Sequence, residues 1–158
     1  MSTIKVDKLQ GTSGSATALT LNGAASTFNG VHTVGNNAIY TSDGGAVTQN
    51  LVQGIAKAWC RWDMSGTAAI ENSFNITSLT DDGTGQSTLT IANDFSDIKY
   101  SATIGVGEIA GGGNRQLGIR GSGGKTLTAG TISFFHMDLG SNAQDIDLNN
   151  VTLHGDLA

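Results

Sequence analysis

The stretch "AWCRWDM", residues 58–64, alternates its side chains with a period of two. A β-strand projects successive side chains to opposite faces, so this stretch has one apolar face and one mixed face. The apolar face would carry Ala58, Cys60, Trp62 and Met64, and the other Trp59, Arg61 and Asp63. This pattern predicts a strand with one face buried in a core.

Further strands are predicted downstream, where short apolar runs are bounded by glycine, asparagine and aspartate. They span 68–71, 74–80, 86–92, 98–109, 115–120, 126–138 and 146–154. The turn "DDGTG", residues 81–85, is expected to join two of them as a hairpin. Seven or eight strands within about a hundred residues indicate an antiparallel, jelly-roll-like β-sandwich as a head domain over 58–158.

The composition points to the same all-β class. Glycine supplies 23 of the 158 residues, proline is absent, and 13% of the residues are charged. Disordered chains are usually highly charged or rich in proline, whereas this composition suits many short strands joined by tight turns.

The charge balance and hydropathy exclude two classes of partner. The formal net charge of −5 offers no basic face for a nucleic-acid backbone, so no nucleic acid is expected as a ligand. No run approaches the ~20 apolar residues that a membrane span requires, and "MSTIKVDKLQ", residues 1–10, lacks the apolar region of a secretory signal. We therefore expect no membrane insertion and synthesis in the cytoplasm.

Residues 11–57 differ from the predicted head domain. Asp43 is the one charged residue between 11 and 50, and apolar residues are spread thinly among small polar ones. Such a stretch cannot enclose a core of its own. Two interpretations stay open: an extended shaft whose short strands pair with copies of the chain or with a neighbouring protein, and a flexible linker.

The shaft region ends in "TQNLVQGIAKAW", residues 48–59, which predicts a short helix with Thr48 as its N-cap. Leu51, Val52 and Ile55 recur at helical spacing and give the helix a one-sided apolar stripe. A helix this short is marginal alone. Its stripe would pack against sister helices in an oligomer or against the chain's own β-domain, and the sequence does not choose between them.

Two motifs with chemical associations receive structural interpretations. "RGSGGKT", residues 120–126, ends like a phosphate-binding loop, but Ile119 stands where that loop needs glycine, and the residues that follow predict a strand instead of a helix. We expect a hairpin turn here. Cys60 lies within the alternating run and is expected to be a small buried apolar residue rather than a nucleophile.

The remaining candidates for chemistry are histidine and carboxylate pairs. His136 with Asp138, and His154 with Asp156, would each place an imidazole and a carboxylate on one strand face as half of a metal site, which a trimer could complete by symmetry. The sequence leaves metal binding at these pairs open, and we predict no metal and no cofactor.

Carboxylates close in sequence could form a glycosidase pair, namely Asp81 with Asp82 or Asp94 with Asp97. Both pairs fall in predicted turns, where aspartate is favoured for its local hydrogen bonds. No G-x-S-x-G motif occurs that would support acyl transfer. We expect a protein that is not an enzyme.

Three stretches together resemble a known family. They are "TIKVDKLQ" (3–10), the glycine-, threonine-, serine- and asparagine-rich middle, and "LVQGIAKAWCRWDMSGTAAIENSFNITSLTDDGTG" (51–85). The chain is similar to virion appendage or tail-fibre-like proteins of marine, cyanophage-like bacteriophages, in which a "TIKVD" opening and a "GLAKAW" motif followed by "GT", "I" and "DSFN" introduce a terminal β-domain. The chain departs from that pattern at Ile55 and Asn72.

The resemblance implies a homotrimeric structural component on the exterior of a phage particle, made in the host cytoplasm. In such a protein the segment 1–10 would anchor the chain to another virion protein by adding a strand to a sheet edge. The anchoring residues would be Thr3, Ile4, Val6 and Leu9, and the trimer interface Leu51, Val52 and Ile55.

The expected host partner is a surface glycan or lipopolysaccharide, contacted by loops of the head domain. The candidate loops are 107–115, 120–126 and 81–85. The alternatives are a capsid decoration or tail adaptor without host binding, and a polysaccharide depolymerase.

Overall fold

The computed structural model describes residues 38–41, 48–107, 113–121 and 127–158, all of which belong to one compact unit, Gly35–Ala158. The anchoring residues Thr3, Ile4, Val6 and Leu9 lie outside the described residues. The described elements are β1 (Ile39–Thr41), β2 (Thr48–Asn50), α1 (Leu51–Gly54), β3 (Ala58–Asp63), β4 (Ala69–Phe74), β5 (Ile76–Gly83), β6 (Gln86–Ile91), β7 (Ser101–Gly107), β8 (Arg115–Ile119), β9 (Thr131–Asp138) and β10 (Leu148–His154).

Eight of the strands form two four-stranded antiparallel sheets. One sheet has the order β4-β3-β10-β7 and the other β5-β6-β9-β8, while β1 and β2 pair as a separate hairpin. The predicted all-β antiparallel sandwich is therefore confirmed, as is the β5–β6 hairpin around "DDGTG". The sandwich is jelly-roll-like in having eight strands in two layers of four.

The strand directions give the sandwich two distinct ends. The base end holds the first residue of β3 and the last residue of β10, Ala58 and His154, and the apex end holds Asp63 and Leu148. Because all neighbouring strands are antiparallel, β3, β5, β7 and β9 run from base to apex and the others run back. The chain from the β1–β2 hairpin and α1 therefore enters the sandwich at the base.

The core lies between the sheets and contains the predicted apolar face of β3. Ala58, Cys60, Trp62 and Met64 are all buried, and the intervening Arg61 is exposed, as a strand with one buried face requires. Trp62 packs against Phe134 of the opposite sheet with ring centroids 4.9 Å apart. Aromatic contact across the layers adds to the apolar burial that holds the sheets together.

Asn75 is the single residue that carries the chain from β4 in one sheet to β5 in the other. Its backbone has a φ of 57°, a left-handed conformation that asparagine tolerates better than most residues. Its side chain donates to the carbonyls of Lys57 (3.0 Å) and Asn93 (3.1 Å) and accepts from the Asn93 backbone N–H (2.8 Å). These bonds hold three segments together at the base end.

The predicted helix over residues 48–59 is wrong in extent. Thr48–Asn50 form β2, whose partner strand β1 places Asn50 opposite Ile39, so Thr48 is not an N-cap. The helix α1 is a single turn from Leu51 to Gly54. Pairing of β2 with β1 and the start of β3 at Ala58 leave only the seven residues 51–57 between the strands, and the helix takes the first four of them.

Two predicted strands begin later than their apolar runs. The strand expected from 98 begins at Ser101, since Asp97 accepts a hydrogen bond from the Lys99 backbone N–H at 2.7 Å and makes a turn. The strand expected from 126 begins at Thr131, because the Thr128 N–H donates to the Thr131 carbonyl at 3.0 Å in another turn. Side chains that bond to nearby backbone compete with strand pairing.

Candidate functional site

The side chains that come closest to a catalytic arrangement are Ser87, His136 and Asn149, which lie on β6, β9 and β10. His136 Nε2 lies 2.8 Å from Ser87 Oγ, and His136 Nδ1 lies 2.9 Å from Asn149 Oδ1. The fold brings these three residues together from separate strands, and no local sequence motif predicts their contact.

The hydrogen-bond network fixes the tautomer of His136. Asn149 Nδ2 donates to the carbonyls of Ile146 (2.7 Å) and Trp62 (3.2 Å), so its amide oxygen must face the imidazole. His136 therefore carries its proton on Nδ1 and donates to Asn149. Ser87 then donates its hydroxyl proton to Nε2. This is the order of donors in a serine–histidine relay.

Burial gives this relay a structural role. Ser87, His136 and Asn149 are each 0% exposed, so a substrate in solvent has no access to the serine oxygen. Burial holds the pKa of His136 below its ordinary value, an effect that the bond to Asn149 and the nearby Asp145 carboxylate partly offset. The imidazole is therefore neutral, and its bond to Asn149 links the two sheets through their core, while its bond to Ser87 joins neighbouring strands of one sheet.

The predicted half-site at His136 and Asp138 is not formed. Both imidazole nitrogens of His136 bond to side chains in the core, while Asp138 lies at the apex end of β9 and accepts from Asn142 N–H at 2.9 Å. The Asn142 side chain and backbone bonds hold the pKa of Asp138 below its usual value. Within the described ranges, no three metal-binding side chains come together at this or any other place.

The second pair, His154 and Asp156, lies at the base end. His154 ends β10 opposite Ser101, and Asp156 follows in a loop whose carbonyl accepts from the Ser96 N–H at 2.8 Å. Asp156 borders an open cleft of about 210 Å³. The cleft is lined by Phe95, Ser96, Asp97, Lys99, Tyr100, Gly155 and Asp156.

The cleft has a polar rim, and the two aromatic rings beneath it already contact each other. Phe95 and Tyr100 stack on each other with centroids 4.3 Å apart and are 2% and 8% exposed. The Tyr100 hydroxyl donates to the carbonyls of Thr128 (3.0 Å) or Thr131 (3.1 Å), and burial raises the pKa of that hydroxyl. The rings brace the loops of the base end and leave little ring surface for a ligand.

The carboxylates considered as a glycosidase pair bond mainly to nearby groups. Asp97 accepts from the Lys99 N–H in a loop, as predicted, and Asp81 accepts from the Gly83 N–H at 2.8 Å. The prediction that Asp81 and Asp82 lie in a turn is wrong, because β5 continues through both residues to Gly83. Asp82 accepts from the Thr88 hydroxyl at 2.5 Å. Asp94 lies in a base-end loop, where its carbonyl accepts from the Ala158 N–H.

The role predicted for Cys60 as a buried apolar residue is confirmed. Its side chain is 2% exposed in the core, and burial raises the pKa of the thiol to about 12. A thiol with that pKa is almost entirely protonated near neutral pH and is a poor nucleophile.

The predicted trimer residues lie beside the base end, with Leu51 and Val52 on α1 and Ile55 directly after it. Leu51 and Ile55 are 41% and 50% exposed, and Val52 is half-buried. The Lys57 ammonium donates to the carbonyls of Val52 and Ile55, and the Lys57 N–H donates to the Leu153 carbonyl at 2.8 Å. Lys57 thus ties the helical turn to the end of β10 while the apolar side chains stay in solvent.

The strand directions separate the candidate recognition loops. The connection 81–85 and the described flanks of 107–115 lie at the apex end, whereas Arg120 and Gly121 follow β8 at the base end. The β8–β9 hairpin predicted around "RGSGGKT" is confirmed by the antiparallel pairing of those strands. Residues 108–112 and 122–126 lie outside the described residues.

Comparison with known proteins finds no family model that matches the chain, and no match among curated proteins or solved structures. No described helix is long and apolar enough to cross a membrane.

Proposed function

We propose that the chain is a non-enzymatic structural protein of a bacteriophage virion, a trimeric tail-fibre-like or appendage component that displays its β-sandwich toward the host surface. The observation that carries this proposal is the uneven distribution of exposed apolar side chains. A surface of this kind commonly marks a protein–protein contact.

Seven of the eight large apolar residues that are exposed in the described part of the chain belong to the base end or to the segment leading into it. Three precede β3: Ile39, Leu51 and Ile55. Four lie at the base of the sandwich: Phe74, Ile98, Ile119 and Leu157. Only Leu139 lies at the apex end.

A sister chain is the occupant that best fits the apolar side chains of α1 and Ile55 beside the base end. The apolar side chains of α1 have no core of their own to enter, since the sandwich core is filled by side chains of its own two sheets. Packing three copies of Leu51, Val52 and Ile55 against one another would remove them from water. The segment 1–10 would then bind another virion protein, and the apex loops would face away from the particle.

Solution mass tests the trimer. Three copies of the 16.1 kDa chain have a mass of about 48 kDa, and light scattering distinguishes that mass from 16.1 kDa. A 48 kDa species supports the proposal. A monomer at micromolar concentration contradicts the trimeric fibre and favours a decoration or adaptor protein.

Particle incorporation tests the location. A chain lacking residues 2–10 should fold and yet fail to join purified particles, because the strand that would add to the partner's sheet edge is gone. Incorporation of this shortened chain at the level of the full chain would contradict the anchoring role of Thr3, Ile4, Val6 and Leu9.

A further inference from the structure

The outward side of the sheet β4-β3-β10-β7 carries an ordered set of aromatic and polar side chains, which we term the outer face. The strand register defines its rows. One row crosses all four strands as Phe74, Trp59, Thr152 and Thr103, and the next as Asn72, Arg61, Asn150 and Gly105. At ordinary strand spacing, each row is about 14 Å long, and the two rows are about 7 Å apart.

The outer face is open to solvent. Phe74 is 55% exposed, Thr103 and Gly105 are exposed, and Trp59 and Thr152 on the central strands are half-buried. This gradient is that of a sheet on whose outer side no described element packs. Phe74 and Trp59 are direct cross-strand partners, so they form one apolar platform at the β4 side of the face.

Hydrogen-bonding groups on the outer face remain available. Within the described residues, the side chains of Thr103, Asn150 and Thr152 make no hydrogen bond to the protein. A Cβ added at Gly105 would meet only the Cβ of Asn150, at 3.9 Å, so the surface is low beside the polar groups. The outer face thus has large aromatic side chains at its β4 side and short polar side chains beside Gly105 at its β7 side.

The outward side of the other sheet shows what a closed surface of the same fold looks like. Thr88 and Ser133 are 7% and 1% exposed there, and their hydroxyls bond to each other at 2.8 Å. Thr88 also donates to Asp82, so the polar groups satisfy one another. The central strands of that sheet thus hold a hydroxyl pair that is satisfied within the protein, whereas Asn150 and Thr152 on the central strand β10 of the outer face have no such partner among the described residues.

The charge of the outer face favours an uncharged ligand. Arg61 is the one charged side chain in the two rows, and its guanidinium is paired with the adjacent Glu71 carboxylate. A phosphate-rich or strongly anionic polymer would meet no free cation on these rows, and the chain as a whole carries a net charge of −5. The pair leaves these two rows neutral and polar.

We propose that the outer face binds a neutral saccharide, with a sugar ring stacked on Phe74 and Trp59 and its hydroxyls bonded to Asn72, Asn150 and Thr152. An aromatic platform with a few placed polar groups is the usual design of a small-ligand site. The inference deepens the proposed function and rests on it for the saccharide's source, which would be the host surface. It moves recognition from the loops to a rigid sheet.

The binding test uses the full chain with cellohexaose, maltohexaose and mannohexaose as separate probes, and follows tryptophan fluorescence and calorimetry. We expect at least one hexasaccharide to bind with a dissociation constant in the millimolar range or tighter and to change the fluorescence. Phe74→Ala should weaken that binding at least tenfold. Trp59→Ala should abolish both the binding and the fluorescence change, and Trp59→Phe should retain part of the affinity.

Leu139→Ala is the matched control, since Leu139 is also an exposed apolar residue, 59% exposed, but lies at the apex end off the face. It should bind like the unaltered chain. Should Trp59→Ala fail to fold, Phe74→Ala decides the matter, because Phe74 lies on an edge strand and is already more than half exposed.

The proposal is overturned if none of the three hexasaccharides binds at millimolar concentration, or if Leu139→Ala weakens binding as much as Phe74→Ala. A change from about 48 kDa to 16.1 kDa on Phe74→Ala, with no loss of sugar affinity, would instead make the face a contact between copies. Particle incorporation is measured separately, so a chain that joins virions and binds no sugar refutes this site without refuting the proposed function.

Discussion

Asn149 on β10 accepts a hydrogen bond from His136 on β9 across 2.9 Å, and this bond joins the two sheets of the sandwich inside the core. Ser87 lies on β6, the neighbour of β9 in the same sheet, and bonds to the other imidazole nitrogen of His136. A buried polar network is stabilising only when each of its members has a partner. Here every polar atom of the imidazole and the amide has one, on the neutral form of His136.

The neutral state of His136 makes stability depend on pH. Its pKa in the folded chain lies below the 6.5 of the unfolded chain, so the unfolded state binds the proton first as the pH falls. The contribution of neutral His136 to the free energy of unfolding should therefore be fully present above pH 6.5. Below that pH the free energy of unfolding should decrease by up to about 1.4 kcal/mol per pH unit. Urea unfolding at several values between pH 7.5 and about 4.5 measures this slope.

His136→Gln should remove that pH dependence, although it also lowers stability at every pH because Ser87 and Asn149 lose an ideal partner. His154→Gln is the control and should keep the slope, because His154 is outside the buried network. An unchanged slope in the His136 variant would contradict the buried neutral imidazole.

Asn75 should be a costly residue to replace. Asn75→Ala removes the bonds to Lys57 and Asn93 and places alanine in a left-handed conformation, which together should cost about 2–4 kcal/mol of unfolding free energy. Asn75→Gly relieves the backbone cost and should lose less than Asn75→Ala. Asn72→Ala, at an exposed position of the preceding strand β4, should change stability by under about 0.5 kcal/mol.

Denaturant titration of these three variants ranks them. Equal stability of the alanine and glycine variants at position 75 would mean that the left-handed backbone is not a cost. A loss in Asn72→Ala as large as in Asn75→Ala would place the effect in the strand rather than in the crossover.

The sequence predicts the strands well because their information is local. The alternation around Trp62 and the turn residues at 81–85 are readable within a few positions. The length of the short helix is predicted wrongly because Leu51 and Ile55 fit one helical turn as well as three. Thr48 pairs with β1 as part of β2, and a local pattern does not encode that pairing.

The candidate sites depend on contacts that sequence distance hides. His136 lies 49 residues from Ser87 and 13 from Asn149, and nothing in its His-x-Asp context distinguishes a core histidine from a ligand. The outer face could have been partly foreseen, because Trp59 and Arg61 are the mixed face of the first strand. Its partners Phe74 and Thr152 follow only from the register.

Gly118 should tolerate a side chain less well than Gly105, although both are strand glycines. Gly118 lies opposite Phe135, and a Cβ at 118 would overlap the Phe135 ring, which covers the glycine. Gly118→Ala should therefore displace the ring and cost about 1 kcal/mol or more. A Cβ at 105 would meet only the Asn150 Cβ, at an ordinary contact distance of 3.9 Å, so Gly105→Ala should be neutral or stabilising by about 0.5–1 kcal/mol. Paired thermal unfolding gives the comparison, and a destabilised Gly105 variant with an unaffected Gly118 variant would refute the packing argument.

Ile55 and Leu139 provide a matched test of the proposed trimer interface. Both are exposed apolar residues, 50% and 59% exposed, yet Ile55 follows α1 beside the base end and Leu139 lies at the apex end. Ile55→Asp would place three carboxylates within the proposed apolar contact, where burial of unpaired charge is strongly unfavourable. We expect its mass by light scattering to fall from about 48 kDa to 16.1 kDa at a concentration where Leu139→Asp stays at 48 kDa. Each monomer should retain the far-ultraviolet spectrum of the sandwich, because neither side chain belongs to the core.

Dissociation by Leu139→Asp alone would move the contact to the apex end. Persistence of the larger species in both variants would require an interface that leaves Ile55 in solvent.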